Sequence, residues 1–376
     1  MEQRHHELPS ASHGTRRALC SLHFGQRRTG AKAYLQASLH ADEVPPMLVA
    51  HHLRALLAEL DEAGAIPGEI VLVPMANPIG LSQSLQGAHH GRFDMASGIN
   101  FNRQFQHLTD RIGAGVGDRW TDDASANTRL IREAAGRALA ELVPVTETDA
   151  LKRLLQSLAI DADIVLDLHC DHEATLHVYA GTPQAELAAQ LARRLRAQAL
   201  LLCACSGDDP FDESLSRHWW ELAERFGDRP ISVAGCFAAT VELRGETDVD
   251  DALAIQDATA LVEFLQDTGH ILGRDQGHVP ALPQPRCAAT PLEGVQPLIA
   301  SASGILVFHR ALGDRVKAGE CVAEIVDPAT SAREPVIAEV DGTLFARAAR
   351  RWATRGLRLG KIAGPTAFRS GKLLSL

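Results

Sequence analysis

Short apolar runs at 18–24, 32–38, 69–75, 163–169 and 238–243 alternate with longer stretches of helical period at 45–60, 124–142, 148–158, 183–199, 214–226 and 249–266. Strands separated by helices of that length cannot pair as simple hairpins; crossover connections make most of them parallel and lay helices over both sheet faces. The expected fold class is therefore α/β, with a mixed, largely parallel sheet and helices on both faces. Pro45 and Pro46 mark where the first helix begins, because proline is tolerated in a first turn. Between 77 and 118 the rhythm stops, although the interval holds His89, His90, Arg92, Asn100, Asn102 and Arg103. A loop of that size in a compact domain is usually functional or disordered, and the basic and amide side chains favour function. Gly113 to Gly117 within it follows no apolar strand and reads as a flexible turn rather than a nucleotide loop.

At 376 residues the chain is long enough for two domains. Pro280, Pro283, Pro285 and Pro291 punctuate a change of pattern, after which short strands and turns follow at 304–309, 313–319, 321–326 and 340–345. The division expected is an α/β domain over 1–279, a Pro-rich linker over 280–290, and a small all-β domain over 291–376. The two halves of the last unit resemble the barrel-sandwich hybrid of biotinyl and lipoyl carriers. Where a carrier has its modified lysine, this chain has Asp327-Pro328-Ala329-Thr330, so a lid or assembly surface fits better than a carrier.

A net charge of −10 argues against a duplex-binding surface, which relies on clustered Lys and Arg, and points to a small-molecule partner. The polar, His- and Arg-rich stretch 1–24 lacks the apolar core of an export signal. The longest apolar run, 197–205, is far short of the roughly 20 residues of a membrane span. Seven scattered cysteines without a Cys-x-x-Cys pair suggest neither a disulfide framework nor a thiolate zinc site, and a cytoplasmic location is expected.

Four short stretches can assemble into one hydrolytic metal site. His40 and Glu43 follow a strand and precede the Pro45-Pro46 helix, so an imidazole and a carboxylate three residues apart can share a zinc ion. A second His-x-x-Glu, at His218 and Glu221, falls inside an amphipathic helix, where such pairs are commonly surface contacts. His169 ends an apolar strand at the carboxyl edge, where open α/β sheets place ligands. Asp167 shares its face and can orient the imidazole, while His172 competes as a ligand. Glu242 sits among Val241 and Leu243, so its carboxylate faces either solvent or a site, where it could act as general base. Asn102 and Arg103 offer an amide beside a guanidinium, suited to gripping a carboxylate, and Arg92 adds a second cation.

Taken together these residues resemble the succinylglutamate desuccinylase/aspartoacylase family of the zinc carboxypeptidase superfamily. His40-Ala41-Asp42-Glu43 matches its His-Gly-x-Glu motif with alanine for glycine, and Asn102-Arg103 matches its Asn-Arg. His169 matches the third zinc ligand, in Asp-x-His, and Glu242 the catalytic glutamate. The resemblance implies a zinc carboxypeptidase-like fold and one Zn2+ held by His40, Glu43 and His169. It also implies hydrolysis of a linear amide in an N-acylated amino acid or similar small carboxylate. Glu242 would move the proton, Arg92 would stabilise the oxyanion, and Asn102 with Arg103 would hold the substrate carboxylate. A peptide-trimming carboxypeptidase would use the same metal site, and a non-catalytic ligand-binding protein could retain the fold. Relatives often use a late tyrosine, whereas the tyrosines here are Tyr34 and Tyr179.

Overall fold

The computed structural model describes residues 1–25, 30–273 and 280–374. Among them runs a nine-stranded sheet, in spatial order Glu2–Glu7, Ala18–Gly25, Glu69–Val73, Lys32–Ala37, Ile164–Asp171, Phe237–Gly245, His177–Gly181, Ala199–Cys203 and Ala289–Pro291. Five of its eight pairings are parallel and three antiparallel. One face is covered by Pro45–Glu62, Ala185–Arg194 and Asp251–Asp267. The other carries Thr109–Val116, Ala124–Ala140, Glu147–Ala159 and Phe211–Arg225. The central strands have fully buried Leu35, Leu166, Leu168 and Ala239 on the first face, with Tyr34, Val165 and Ala238 on the second. That two-sided apolarity is what a sheet clad on both faces requires.

Several local expectations are corrected. The helix expected over 183–199 ends at Arg194, because Arg196 adopts left-handed backbone (φ 55°), and Ala199–Cys203 becomes a strand. The polar Glu2–Glu7 segment is an edge strand, a position that tolerates charged side chains. Gly113 and Gly115 lie in the helix Thr109–Val116 instead of a turn. A Cβ on Gly115 would stand a tight 3.3 Å from Ala134 Cβ, whereas one on Gly113 would meet the Phe226 ring at an ordinary 3.5 Å. Gly117 (φ 57°) is where that helix stops.

The C-terminal unit packs two small sheets. One contains Val295–Ile299, Arg358–Ala363, Gly342–Arg347 and Arg315–Val316; the other Arg333–Ile337, Cys321–Val326, Gly304–Phe308 and Trp352–Ala353. Leu306, Val322, Ile325, Leu344 and Ile362 fill its core. The unit is stitched to the α/β domain: Gly342–Arg347 pairs with Glu173–Ala174, and the Thr175 amide donates to the Phe345 carbonyl. Lys361 pairs with Asp171, while Arg347 and Arg351 both pair with Glu173. The segment expected as linker, 280–290, ends in the edge strand Ala289–Pro291 of the large sheet. The expected domain end at 279 lies outside the described residues. No described helix is long and apolar enough to cross a membrane.

Candidate metal centre and active site

The strand Lys32–Ala37 ends in a turn that begins with Ser38 in left-handed backbone (φ 65°), an uncommon conformation for a non-glycine residue. This bend carries His40 and Glu43 over the carboxyl edge of the sheet, where the adjoining strand delivers His169. Gly91 fixes the next piece. The Ala41 amide donates to its carbonyl at 3.0 Å, and a Cβ on Gly91 would fall 2.1 Å from the Asp42 nitrogen. That close approach sets Arg92 beside the cluster, its Nη1 3.2 Å from His40 Nδ1 and 3.4 Å from Glu43 Oε1.

His40, Glu43 and His169 are all buried, with candidate ligand atoms within 4.8 Å of one another. Each imidazole turns Nδ1 toward one oxygen of Glu43, at 2.8 Å in both cases. The outward nitrogens are also occupied: His40 Nε2 lies 2.8 Å from Asn100 Oδ1, and His169 Nε2 lies 2.9 Å from Asp167 Oδ2. An imidazole whose far nitrogen is held by an oxygen acceptor is oriented for its near nitrogen to bind a metal. Two nitrogens and a carboxylate converging on one small volume fit a divalent ion of the zinc type. Burial would raise the Glu43 carboxyl, yet His40 and His169 hold it well below its usual value. Burial opposes a charge on His169, but Asp167 and Glu43 overcome it and raise its pKa well above the ordinary value. His40 is moved down, by burial and then by Arg92.

These side chains open onto a cavity of about 340 Å³ that also reaches Arg103, Tyr179, Glu213 and Glu242. Glu242 Oε2 is sealed from solvent and has no hydrogen-bond partner. Burial, followed by the nearby Glu43 charge, pushes its carboxyl up to about 8. Arg103 is buried, and burial followed by the Arg92 charge lowers it to about 10. Its Nη1 donates to the Asn102 carbonyl at 2.5 Å, while buried Lys152 donates to the Arg103 carbonyl at 2.7 Å. The Asn102 side-chain oxygen accepts from the Phe211 amide, and its nitrogen lies 3.3 Å from His169 Nε2. The Asn102 side-chain oxygen thus anchors the start of the Phe211–Arg225 helix, with its NH2 group turned toward His169.

The structure brings His40, Glu43, Arg92, Asn102, Arg103, His169 and Glu242 to one cavity or its floor. His172 reaches the cavity's lining but is largely exposed, its Nδ1 3.5 Å from Glu246, and it is not part of the buried cluster. His218 is buried instead of being a surface contact, and burial pushes it down to about 3; Glu221 pairs with Arg217 and His107 instead. Sequence reasoning gave Asn100 no role, although it lay in the singled-out loop. It missed the C-terminal unit's share of the cavity wall, Arg358, Lys361 and Arg369, since no pattern in the chain links those residues to His40.

Residues 29–266 match the Succinylglutamate desuccinylase/Aspartoacylase catalytic domain family. No curated protein matches the sequence. Two solved structures of succinylglutamate desuccinylase/aspartoacylase family proteins are similar over nearly the whole chain. The one from Shewanella amazonensis is 24% identical with a TM-score of 0.82, covering 96% of this chain and 98% of its own. The one from Shewanella frigidimarina is 24% identical with a TM-score of 0.81, covering 96% and 97%. The product-bound ectoine utilization protein EutE (DoeB) from Ruegeria pomeroyi is 17% identical with a TM-score of 0.65, covering 96% and 95%. With the match spanning most of the α/β domain, the chain belongs to the succinylglutamate desuccinylase/aspartoacylase family.

Proposed function

We propose that this protein is a zinc-dependent amidohydrolase that removes the acyl group from an N-acylated amino acid or a similar small carboxylate. The observation that carries the reading is the pairing of a converged His40-Glu43-His169 cluster with a Glu242 carboxyl in the same cavity whose buried Oε2 has no hydrogen-bond partner. His40 and His169, through Nδ1, and Glu43 would hold the ion. When bound, it supplies a Lewis acid for the acyl carbonyl and lowers the pKa of water. Glu242 takes the proton of the attacking water and returns it to the leaving nitrogen, so water and amide become acid and amine. The raised pKa of Glu242 suits a group that must both accept and donate near neutral pH. Arg92, beside the cluster, faces the charge that develops on the carbonyl oxygen. Arg103, with the NH2 group of Asn102, takes the substrate carboxylate.

The size of the cavity, with the C-terminal unit forming part of its wall, favours a small amide over a peptide. A cytoplasmic setting suits the seven cysteines, all of them free thiols. The test is release of free amine from a panel of N-acylated amino acids by the zinc-supplied full chain. Turnover of at least one member supports the reading, and no release from any overturns it.

A further inference from the structure

Residues 101–108 form neither helix nor strand, so the backbone that presents Asn102 and Arg103 has no ladder of its own to fix it. On one side it is fixed by the helix Glu147–Ala159. Thr148, Lys152 and Gln156 recur every fourth residue, which aligns them on one face of that helix, and all three are buried. Each grips the stretch 94–106. Thr148 Oγ1 donates to Asp94 Oδ2 at 3.1 Å, and Lys152 Nζ donates to the carbonyls of Arg103 at 2.7 Å and Asn100 at 3.4 Å. Gln156 Nε2 donates to the Gln106 carbonyl at 2.8 Å, and its Oε1 accepts from the Gln106 amide at 3.2 Å. On the other side the Gln104 and Phe105 amides donate to the carbonyls of Asp208 and Asp209.

Lys152 is the charged member of this row. Among the described residues its acceptors are the two carbonyls and no carboxylate, with the Phe105 ring centroid 5.8 Å away. Taking an ammonium out of water is strongly unfavourable unless its donors are met. Burial lowers its pKa to about 8, with Asp149 and then Asp94 opposing the fall, so the charge persists at neutral pH. A charged donor bonds a carbonyl more strongly than a neutral one. The carbonyls it ties belong to the first and last residues of the turn Asn100-Phe101-Asn102-Arg103. The same turn sets Asn100 Oδ1 on His40 Nε2 and carries the Arg103 side chain into the cavity. A guanidinium grips a carboxylate through two parallel bonds only when its plane is held, and a turn free to rock would lose that orientation.

We infer that Lys152 is a specificity-determining positioning residue: by clamping both ends of the Asn100–Arg103 turn to the helix Glu147–Ala159, it holds the Arg103 guanidinium in the orientation that selects a substrate carboxylate. It acts through Arg103. The inference rests on the proposed reading of Arg103 as the residue that takes the carboxylate.

The experiment is calorimetric titration of the zinc-supplied full chain carrying Glu242→Gln, which removes turnover, with N-acetylated amino acids and their carboxamides. With Lys152 in place, at least one acid is expected to bind about tenfold or more tightly than its amide. Lys152→Met, of similar length but without N–H donors, is expected to cut that preference to under about threefold, with zinc content and amide affinity unchanged. Lys152→Arg recovers part of it. In an Arg103→Gln background, Lys152→Met is expected to change acid affinity by less than about twofold, because a residue acting through Arg103 has nothing left to act on. A merely structural loss would instead lower acid and amide together, with or without Arg103. Should Lys152→Met fail to fold, Lys152→Gln, which keeps a neutral donor too short to span both carbonyls, is judged by the same criteria. A preference that survives the substitution, or an equal fall on acid and amide, overturns the inference. No preference with Lys152 in place overturns it together with the role given to Arg103. A Lys152-dependent preference without amine release from the chain that retains Glu242 supports the inference and removes the hydrolase reading alone.

Discussion

Glu242 and Arg103 occupy the same cavity with opposite electrostatic problems. Glu242 is a carboxyl whose Oε2 has neither solvent nor a hydrogen-bond partner, so burial favours its protonated form, and the charge of a bound divalent ion would favour the carboxylate that a base must be. Glu242→Gln preserves the shape and removes the proton acceptor; kcat should fall by about 10²–10⁴-fold with zinc content unchanged. Unchanged kcat, or loss of metal together with activity, would remove Glu242 from the role of base. Arg103 is held by its own neighbours, through the Asn102 carbonyl and the Lys152 contact to its backbone, so its guanidinium is pre-positioned before substrate arrives. Arg103→Lys keeps the charge but loses the planar fork. Its kcat/KM should fall about tenfold or more on a carboxylate substrate and much less on the matched amide; an equal fall on both would separate Arg103 from carboxylate recognition.

The elements matter through their ends. The strands Lys32–Ala37 and Ile164–Asp171 lie side by side in parallel, and that register brings the 40–43 turn against His169. Asp171, at the end of the second strand, meets Lys361 on Arg358–Ala363 and ties the large sheet to the C-terminal sheets. Burial alone would raise the Asp171 carboxyl, but Lys361 holds it well below the usual range. A carboxyl depressed in the folded state contributes stability that is present above its unfolded pKa of about 3.9 and is lost as pH falls toward the folded value. Lys361→Met should therefore lower stability at pH 7 by about 3–5 kcal/mol, since it leaves a buried charge unpaired. The deficit in Tm should narrow as pH is lowered toward 4 and the lone carboxyl takes up a proton. A deficit that is constant from pH 7 to pH 4 would mean that packing, and not the ion pair, was lost.

At the level of the whole molecule, the layered α/β architecture was legible because the strands are apolar on both sides and the helices keep their period. His40, Glu43, His169 and Glu242 stood out because each terminates or follows such a strand, where the side chain must face either solvent or a site. Less was legible where the chain's local signals were weak. The edge strand Glu2–Glu7 has no buried face to declare it, and the helix Thr109–Val116 was hidden by its two glycines, which read as a turn. The wall built by Arg358, Lys361 and Arg369 depends on contacts between residues nearly two hundred positions apart, which no local spacing encodes. What the large sheet and the C-terminal sheets make together is one cavity floored by the His40-Glu43-His169 cluster. The most direct test that this cluster is a working metal site is amine release from an N-acylated amino acid by metal-depleted protein titrated with zinc. Activity should be absent without metal, rise in proportion to zinc, and level off at about one equivalent per chain, while His40→Ala and His169→Ala recover none of it. Full activity in the depleted protein, or recovery by zinc in those two variants, would contradict it.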